Sequence, residues 1–461
     1  MKSFFVHYQL RLFLPLLFIV ALVYLLFVTQ GTFHFMEYRQ GIYYNWLAKV
    51  FLSGHTGVSM SSPEAIPTAD GSIYHNVLYL YWGPVPALIH AGYRLLTNQI
   101  LYSSVLTYIA AILNIFFFWV TLVNLAKRLL GKVNWPLLLL LTALYAVGAT
   151  LFNVTRSFIY EEALVVGSTF LLASLAVITS PNSASSAWYS LSAGVLFSLA
   201  VSTRVSLLFF LPLLLGYDFV LSQRPFVFRF LAKRWLTFLL PLFIALSLLG
   251  YYNYARFGSS TEFGISYLNV GKPVELERIK AGETMSWRYI PYNSAYYFLA
   301  PVYYSGTGEY RAGGWRFPNT IGDYPRLSGV EYTSSIFFLS PLLLFVVGSW
   351  RYRQYPTNLA RYFLITNVGL GLFLIFGLLM YFGNGYRYFQ DFSFIFYWLS
   401  YFVISRWLDR LPQSRKRLVY ILLVVISIYT LSIGLKQTCS VWLPNSPCIR
   451  LQPIDQFHLL G

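Results

Sequence analysis

Residues 207–217 read LLFFLPLLLGY, with no charge and no alternation of polar with apolar positions. A strand of a transmembrane β-barrel changes character at every second residue, so this stretch belongs to a helix. Apolar runs of about 18 or more residues recur from near Arg11 to the region before Lys436, each long enough to cross a hydrocarbon core of about 30 Å. The 461 residues are 57% hydrophobic, 20% aromatic and only 11% charged, which excludes most soluble enzymes and all disordered classes. The expected fold is an all-α polytopic membrane protein. Its spans lie near 10–29, 100–126, 135–153, 162–180, 187–203, 205–221, 235–254, 336–350, 361–382, 391–405 and 418–436, about eleven in number. The segment 77–96 is also apolar but contains Gly83, Pro84, Pro86, His90 and Arg94, and reads as a juxtamembrane or re-entrant element.

The net charge of +17 speaks to topology rather than to nucleic acid. The first apolar run lacks a small-x-small cleavage site and reads as a retained anchor, with Lys2 and Arg11 holding the N-terminus in the cytoplasm. Basic clusters at 127–132, 224–234, 351–361 and 406–417 then fall on that same side. All 16 acidic residues except Asp218 and Asp409 fall outside. The expected organisation is one transmembrane domain, 1–436, with two large outer loops at 31–99 and 255–335, and an outer C-terminal tail, 437–461. The expected home is the plasma membrane. Short cytoplasmic loops carry no phosphate-cradling glycine motif. Cys439 and Cys448 flank Pro444, Asn445, Ser446 and Pro447, which suits one disulfide in an oxidising compartment, closing a loop of about ten residues; the alternative is two free thiols.

Residues 31–58 read GTFHFMEYRQGIYYNWLAKVFLSGHTGV. Glu37 emerges at the membrane edge and precedes an aromatic amphipathic stretch, 43–52, that includes Tyr44. A carboxylate so close to lipid needs a partner, such as Arg39, or a task. Residues 66–89, IPTADGSIYHNVLYLYWGPVPALI, place a turn at Asp70-Gly71 and an aromatic shelf at Tyr79, Tyr81 and Trp82. Such rings are either interfacial anchors or stacking surfaces for sugars.

A single span, an outer loop opening with an acid and an amphipathic helix, and then D-G-x-x-Y…Y-x-G-P-x-P-A-L resemble the GT-C glycosyltransferases. That superfamily includes the protein O-mannosyltransferases and the aminoarabinose transferases of lipid A. Glu161 and Glu162 at the start of the fourth run, the break at Thr203-Arg204, YYNYARFGSSTEFG (251–264) before the second large loop, and GYRYFQDF (385–392) extend the likeness over most of the chain. The superfamily's first-loop acids commonly come as a pair, whereas Glu37 is flanked by Met36 and Tyr38. The resemblance implies transfer of a sugar from a polyprenyl-phosphate donor to a glycan, lipid or protein acceptor on the outer face, with inversion.

That reaction needs one base for the acceptor hydroxyl, either Glu37 or Asp70. It also needs cations for the departing phosphate, and bidentate guanidinium suits phosphate oxygens. Arg204, Arg256 and Arg387 are the candidates. Each has a plainer reading: snorkelling for Arg204, a helix-end cation for Arg256, and a local pair with Asp391 for Arg387. Tyr44, Tyr81 and Trp82 are the candidates for holding sugar. Glu161 and Glu162, with Glu37 or Asp70, either ligate Mg2+ or Mn2+ or pair with Arg156. His34, His55, His75 and His90 show no spacing diagnostic of zinc. Two other functions compete. A transporter or lipid flippase predicts ionisable groups buried in mid-span. A non-catalytic subunit of the same fold predicts donor binding without turnover.

Overall fold

The computed structural model describes residues 9–37, 42–66, 71–181, 183, 186–221, 228–269, 277, 281–299, 302–304, 310–312, 335–354, 358–381 and 385–442. The chain enters through α1 (Leu10–Val28), continues through the short helix α2 (Ile42–Leu52) and three strands, β1 (Val58–Ser59), β2 (Gly71–Tyr74) and β3 (Val77–Leu80), and reaches α3 (Val85–Thr97). The strands form an antiparallel sheet in the order β1-β3-β2. The hairpin turns at His75 and Asn76, both left-handed with φ of 49° and 63°, a backbone that suits the right-handed twist of the paired strands. The hairpin turn falls at 75–76 and Gly71 opens β2, while Asp70, the other half of the expected turn, lies outside the described residues. Segment 77–96 is no span: it divides into β3 and a 13-residue helix that starts beside Pro84.

The long helices follow. These are α4 (Ser103–Leu130), α5 (Trp135–Tyr145) continuing through a wide turn into α6 (Leu151–Arg156), α7 (Ile159–Thr179), α8 (Ala187–Thr203), α9 (Leu211–Leu221) and α10 (Phe228–Phe257). The short α11 (Ile290–Ser294), a strand pair β4 (Val302–Tyr304) and β5 (Tyr310–Ala312), the one-turn α12 (Ile336–Leu339), α13 (Asn358–Met380), α14 (Ser393–Arg410) and α15 (Gln413–Trp442) complete the order. Between α5 and α6 the backbone kinks at Gly148, and the Tyr24 hydroxyl donates to the Ala146 carbonyl at 2.7 Å, satisfying a group that a regular helix would have paired internally.

Among the described residues, six helical segments are long and apolar enough to cross a membrane: Leu10–Val28, Ser103–Leu130, Trp135–Arg156, Ile159–Thr179, Lys233–Phe257 and Gln413–Leu435. Three shorter apolar ones, Ala187–Thr203, Val205–Asp218 and Thr366–Met380, accompany them. This is fewer than the eleven expected from apolar runs. The run at 336–350 is divided between one α-turn and a 3-10 stretch, Pro341–Gln354, and the run at 391–405 lies in an 18-residue helix that also carries Arg406, Asp409 and Arg410. The all-α expectation is likewise amended by the two small sheets, both in the connecting segments. The last helix runs to Trp442, past the expected boundary at 436.

α7 is the central helix, with 89% of its most apolar window buried, whereas α1, α10 and α15 leave most of their apolar faces open. At one end of this bundle the first connecting segment meets the one after α10. Ser72 pairs with Leu268, its hydroxyl donates to the Gly264 carbonyl at 2.8 Å, and the Asn269 amide donates to the Gly71 carbonyl at 2.7 Å. Gly83 presses on the end of α8, where any Cβ would lie 2.1 Å from the Ser202 carbonyl oxygen and 2.4 Å from that of Thr203. Only glycine admits that approach.

Candidate active site

The site gathers at the same end of the bundle. Glu161 and Glu162 occupy the first turn of α7, following Phe158 in extended conformation. Successive helical residues point about 100° apart, so the two carboxylates diverge. Glu161 Oε1 lies 3.3 Å from Arg387 Nη1 and 3.6 Å from Arg156 Nη1. Glu162 Oε1 lies 2.8 Å from His90 Nε2 on α3, and both of those side chains are fully buried. The pairing with Arg156 weighed for this acid pair is thus present for Glu161. The two carboxylates share no cation site, and among the described residues no group of three His, Cys, Asp or Glu side chains is arranged to hold a metal ion. A divalent ion fits poorly here, because guanidinium already faces Glu161 and imidazole already faces Glu162.

Arg204 sits in the break after α8 with an extended backbone, φ −146° and ψ 109°. Its Nη2 lies 3.0 Å from Asp391 Oδ2, 187 residues away. Asp391 therefore belongs to Arg204, and the local pair expected between Asp391 and Arg387 gives way to Arg387 with Glu161. Arg387 and Asp391 share one 3-10 turn, Tyr386–Asp391, which three contacts pin to the bundle. Gln390 accepts from the Thr150 hydroxyl at 2.9 Å and donates to the Ser168 hydroxyl at 3.2 Å, and Asn153 donates to the Arg387 carbonyl at 3.4 Å.

Glu37 joins from the segment after α1. Its Oε2 accepts the Ser103 amide at 2.9 Å and the Asn45 side-chain amide at 3.1 Å, so the carboxyl caps the N-terminus of α4. Its Oε1 is buried with no hydrogen-bond partner among the described residues. Burial pushes the Glu37 carboxyl up to about 7, the Ser103 amide opposes this, nearby Glu162 adds to it and His90 opposes it. Glu37 is thus an acid shifted upward by burial, with one oxygen held and the other without a hydrogen-bond partner among the described residues.

The aromatic candidates are packed rather than presented. Tyr81 stacks on Trp82 with centroids 4.0 Å apart, Trp82 meets the edge of Tyr160 at 5.0 Å, and the Tyr81 hydroxyl donates to that of Tyr160 at 3.2 Å. Arg387 lies over the Tyr160 ring at 4.3 Å, so the shelf abuts the charged groups. Trp82 is buried, and Tyr44 is fully buried with its ring parallel to His90. Tyr44 therefore backs the histidine and offers no open face to a sugar. Tyr81, only partly buried, is the least enclosed of the three.

Arg256 is buried and occupied elsewhere. It donates to the Leu80 carbonyl at 2.5 Å and to Asn253 at 2.6 Å, and it rests on the Tyr252 ring at 3.8 Å. No hydrogen bond or ion pair among the described residues joins it to Arg204, Arg387 or their carboxylates. Its visible work is to tie the hairpin to α10. Asp70 and Cys448 lie outside the described residues, and so does the side chain of Cys439.

Sequence reasoning missed His90 and Tyr160 as members of the cluster and met Asp391 only as a neighbour of Arg387. The signal for His90 was local: Ala87 and Ala91 flank it on one face of a short helix and leave room for a buried imidazole.

No protein-family model and no curated protein matches this chain. Among solved structures it is similar to the oligosaccharyltransferase of Archaeoglobus fulgidus in the apo form, at 14% identity and a TM-score of 0.46 over 93% of this chain and 56% of that one. It is similar in the same degree to the archaeal oligosaccharyltransferase AglB from Archaeoglobus fulgidus in complex with an inhibitory peptide and a dolichol-phosphate, at 14% identity and a TM-score of 0.46 over 92% and 55%. The chain spans a little over half the length of those proteins. A likeness of this degree says nothing of chemistry, which the side chains themselves must carry.

Proposed function

We propose that the protein is a GT-C-type membrane glycosyltransferase that moves a sugar from a polyprenyl-phosphate donor to an acceptor hydroxyl on the non-cytosolic face of the plasma membrane. The observation that carries this is the pairing of Arg156 and Arg387 with Glu161, and of Arg204 with Asp391, at the ends of apolar helices, the depth expected for the headgroup of a lipid-borne phosphate. Supporting it is the order of motifs along the chain, from the first-loop acid to GYRYFQDF at 385–392.

In the proposed step the acceptor oxygen forms a bond to the anomeric carbon as the bond from that carbon to the phosphate oxygen breaks. The electron pair of the broken bond leaves with the phosphate, and the configuration inverts. Glu37 takes the acceptor proton on Oε1, the oxygen that no protein group among the described residues holds. Asp70 is the alternative base. The departing phosphate gains a negative charge, which the guanidinium groups neutralise. Arg204 has one hydrogen-bonded acceptor, Asp391, among the described residues, and a guanidinium offers five donors, so it retains N–H groups for phosphate oxygens. Asp391 and Glu161 hold the arginines in place before a donor arrives. Guanidinium thus takes the electrostatic role that Mg2+ or Mn2+ would otherwise fill. Tyr81 lines the sugar side.

The experiment is transfer from a labelled polyprenyl-phosphate sugar in proteoliposomes, with Glu37→Gln, Asp70→Asn, Arg204→Ala and Arg387→Ala variants. Loss of turnover in Glu37→Gln and in both arginine variants is expected. Near-normal turnover in all four would remove the assignment, and solute flux without transfer would point to a transporter.

A further inference from the structure

The end of the bundle opposite the candidate site carries positive charge with almost no acid to balance it. α4 leaves the site at Ser103 and rises about 42 Å over its 28 residues to Leu130. α14 runs the same way, from Ser393 beside the site to Arg410, and α15 returns from Gln413. From 71 to 160 and from 392 to 442 the sequence holds a single acid, Asp409. Lys132 lies 2.6 Å from it. Asp218, the other carboxylate at this end, is buried and closed by Arg234, whose Nε lies 3.2 Å from Oδ2.

Three elements bring the cations together. The Asn134 side chain and the Tyr420 hydroxyl bond reciprocally at 2.8 and 3.0 Å, and the Asn134 amide donates to the Tyr401 hydroxyl at 2.8 Å. This knot seats the start of α15 and the end of α14 against the loop that carries Lys132. Lys416 and Arg417 lie one helical turn before Tyr420, with Arg415 next to them. On α14, Arg406 and Arg410 lie within a turn of Asp409. Six cations thus stand against one available carboxylate.

The open surface of α15 completes the site. Arg415, Leu418, Leu422 and Val425 follow one another at spacings of three or four residues and form one stripe; Arg417, Ile421, Val424 and Ile428 form its neighbour. Leu418 is 67% exposed and Ile421 61%, and Arg415 and Arg417 are exposed as well. Each stripe is therefore open apolar surface ending in a guanidinium. A free anion would match only the cations and a neutral lipid only the stripes, whereas a lipid with acyl chains and a net negative headgroup matches both. We propose that this face binds an anionic phospholipid of the phosphatidylglycerol type, its chains along α15 and its phosphate between Arg415 and Arg417, within the field of Lys132, Lys416 and Arg410. The site does not depend on the transfer reaction.

The test uses the full-length protein in lipid, with spin-labelled phosphatidylglycerol and phosphatidylcholine, reading the immobilised fraction of each by electron paramagnetic resonance. Affinity for phosphatidylglycerol should fall about fivefold in Arg415→Gln or Arg417→Gln and about 25-fold in the double variant, with that for phosphatidylcholine unchanged. The charge-keeping R415K/R417K variant should retain most of the preference. Lys49→Gln, which removes an exposed lysine at the site end, should leave it as it was. Equal affinity for the two lipids, or a preference that survives in the double glutamine variant, overturns the inference. So does displacement of the labelled lipid by inorganic phosphate beyond that caused by chloride at the same ionic strength, which would mark a site for free anions. Should the double variant fail to fold, the unsubstituted protein decides: the preference must fade as salt rises from about 0.01 M to about 1 M and the screening length shrinks from about 30 Å to about 3 Å. Persistence at the higher salt overturns the inference.

Discussion

Arg387 Nη1 lies 3.3 Å from Glu161 Oε1 across 226 residues of sequence. This contact joins the turn before α14 to the first turn of α7, and Arg156 approaches the same oxygen at 3.6 Å from the end of α6. One carboxylate thus fastens three elements that the chain visits far apart.

Removing that carboxylate takes one counterion from each of two cations in a poorly solvated place. Glu161→Gln should lose about 3 kcal/mol of stability, the scale for breaking a buried pair from one side. Thermal unfolding of the purified protein in detergent would show it as a fall in Tm, and an unchanged Tm would mean that the contact contributes little.

Glu37 gives a pH dependence whose sign can be worked out. Its ordinary value is 4.5 and burial raises it to about 7, so between those values the folded protein binds more protons than the unfolded chain. Stability from this group is therefore complete below pH 4.5 and is lost as pH rises toward 7, by an amount on the order of 3 kcal/mol. Glu37→Gln should unfold with a shallower pH dependence over that window. As a base the same group works only when deprotonated, so transfer should rise through pH 7, and the Gln variant should lose about 100-fold or more of the rate.

The turn carrying Arg387 and Asp391 is positioned by Gln390. Gln390→Leu would leave the buried Thr150 and Ser168 hydroxyls short of a partner each, at about 1 to 3 kcal/mol for a buried unmet group. Because Arg387 and Asp391 flank it, the transfer rate should fall by more than the loss of folded protein explains, which a rate normalised to folded fraction would reveal.

Gly83 is a steric prediction. An alanine methyl there must displace the end of α8 at Ser202 and Thr203, immediately before Arg204. Gly83→Ala should lower Tm, with a cost of about 1 to 3 kcal/mol for an overpacked contact. Gly92, whose Cβ would meet nothing within 4 Å, is the control that should stay close to the unsubstituted protein.

Hydropathy alone revealed the membrane helices because a span is a local property: twenty apolar residues carry the signal whatever they pack against. The break at Arg204 was visible for the same reason, a polar pair interrupting two apolar runs. Partner choice was not. Arg387 has Asp391 four residues away, the spacing that pairs charges on a helix, yet a 3-10 turn with its tighter winding occupies that stretch, and Asp391 meets Arg204 instead. Arg256 looked like the other two arginines by its place at a helix end, and only the approach of β3 shows that its fork is filled by the Leu80 carbonyl. Tyr44 was read as a sugar platform from its position on an amphipathic helix; the face it occupies is the inward one. His90 left a local trace in Ala87 and Ala91, but its partner Glu162 became visible only when α3 packed against α7.

The distance in sequence between Glu161 and Arg387 also bears on how the protein is made. At about 5 to 20 residues per second of synthesis, roughly 10 to 45 seconds separate the emergence of the acid from that of its arginine. During that interval Glu161 has Arg156, 3.6 Å away in the finished fold, but not Arg387. A ribosome stalled before Tyr386 would therefore leave more than four-fifths of the chain made, yet the contact that ties the last helices to the central one still absent.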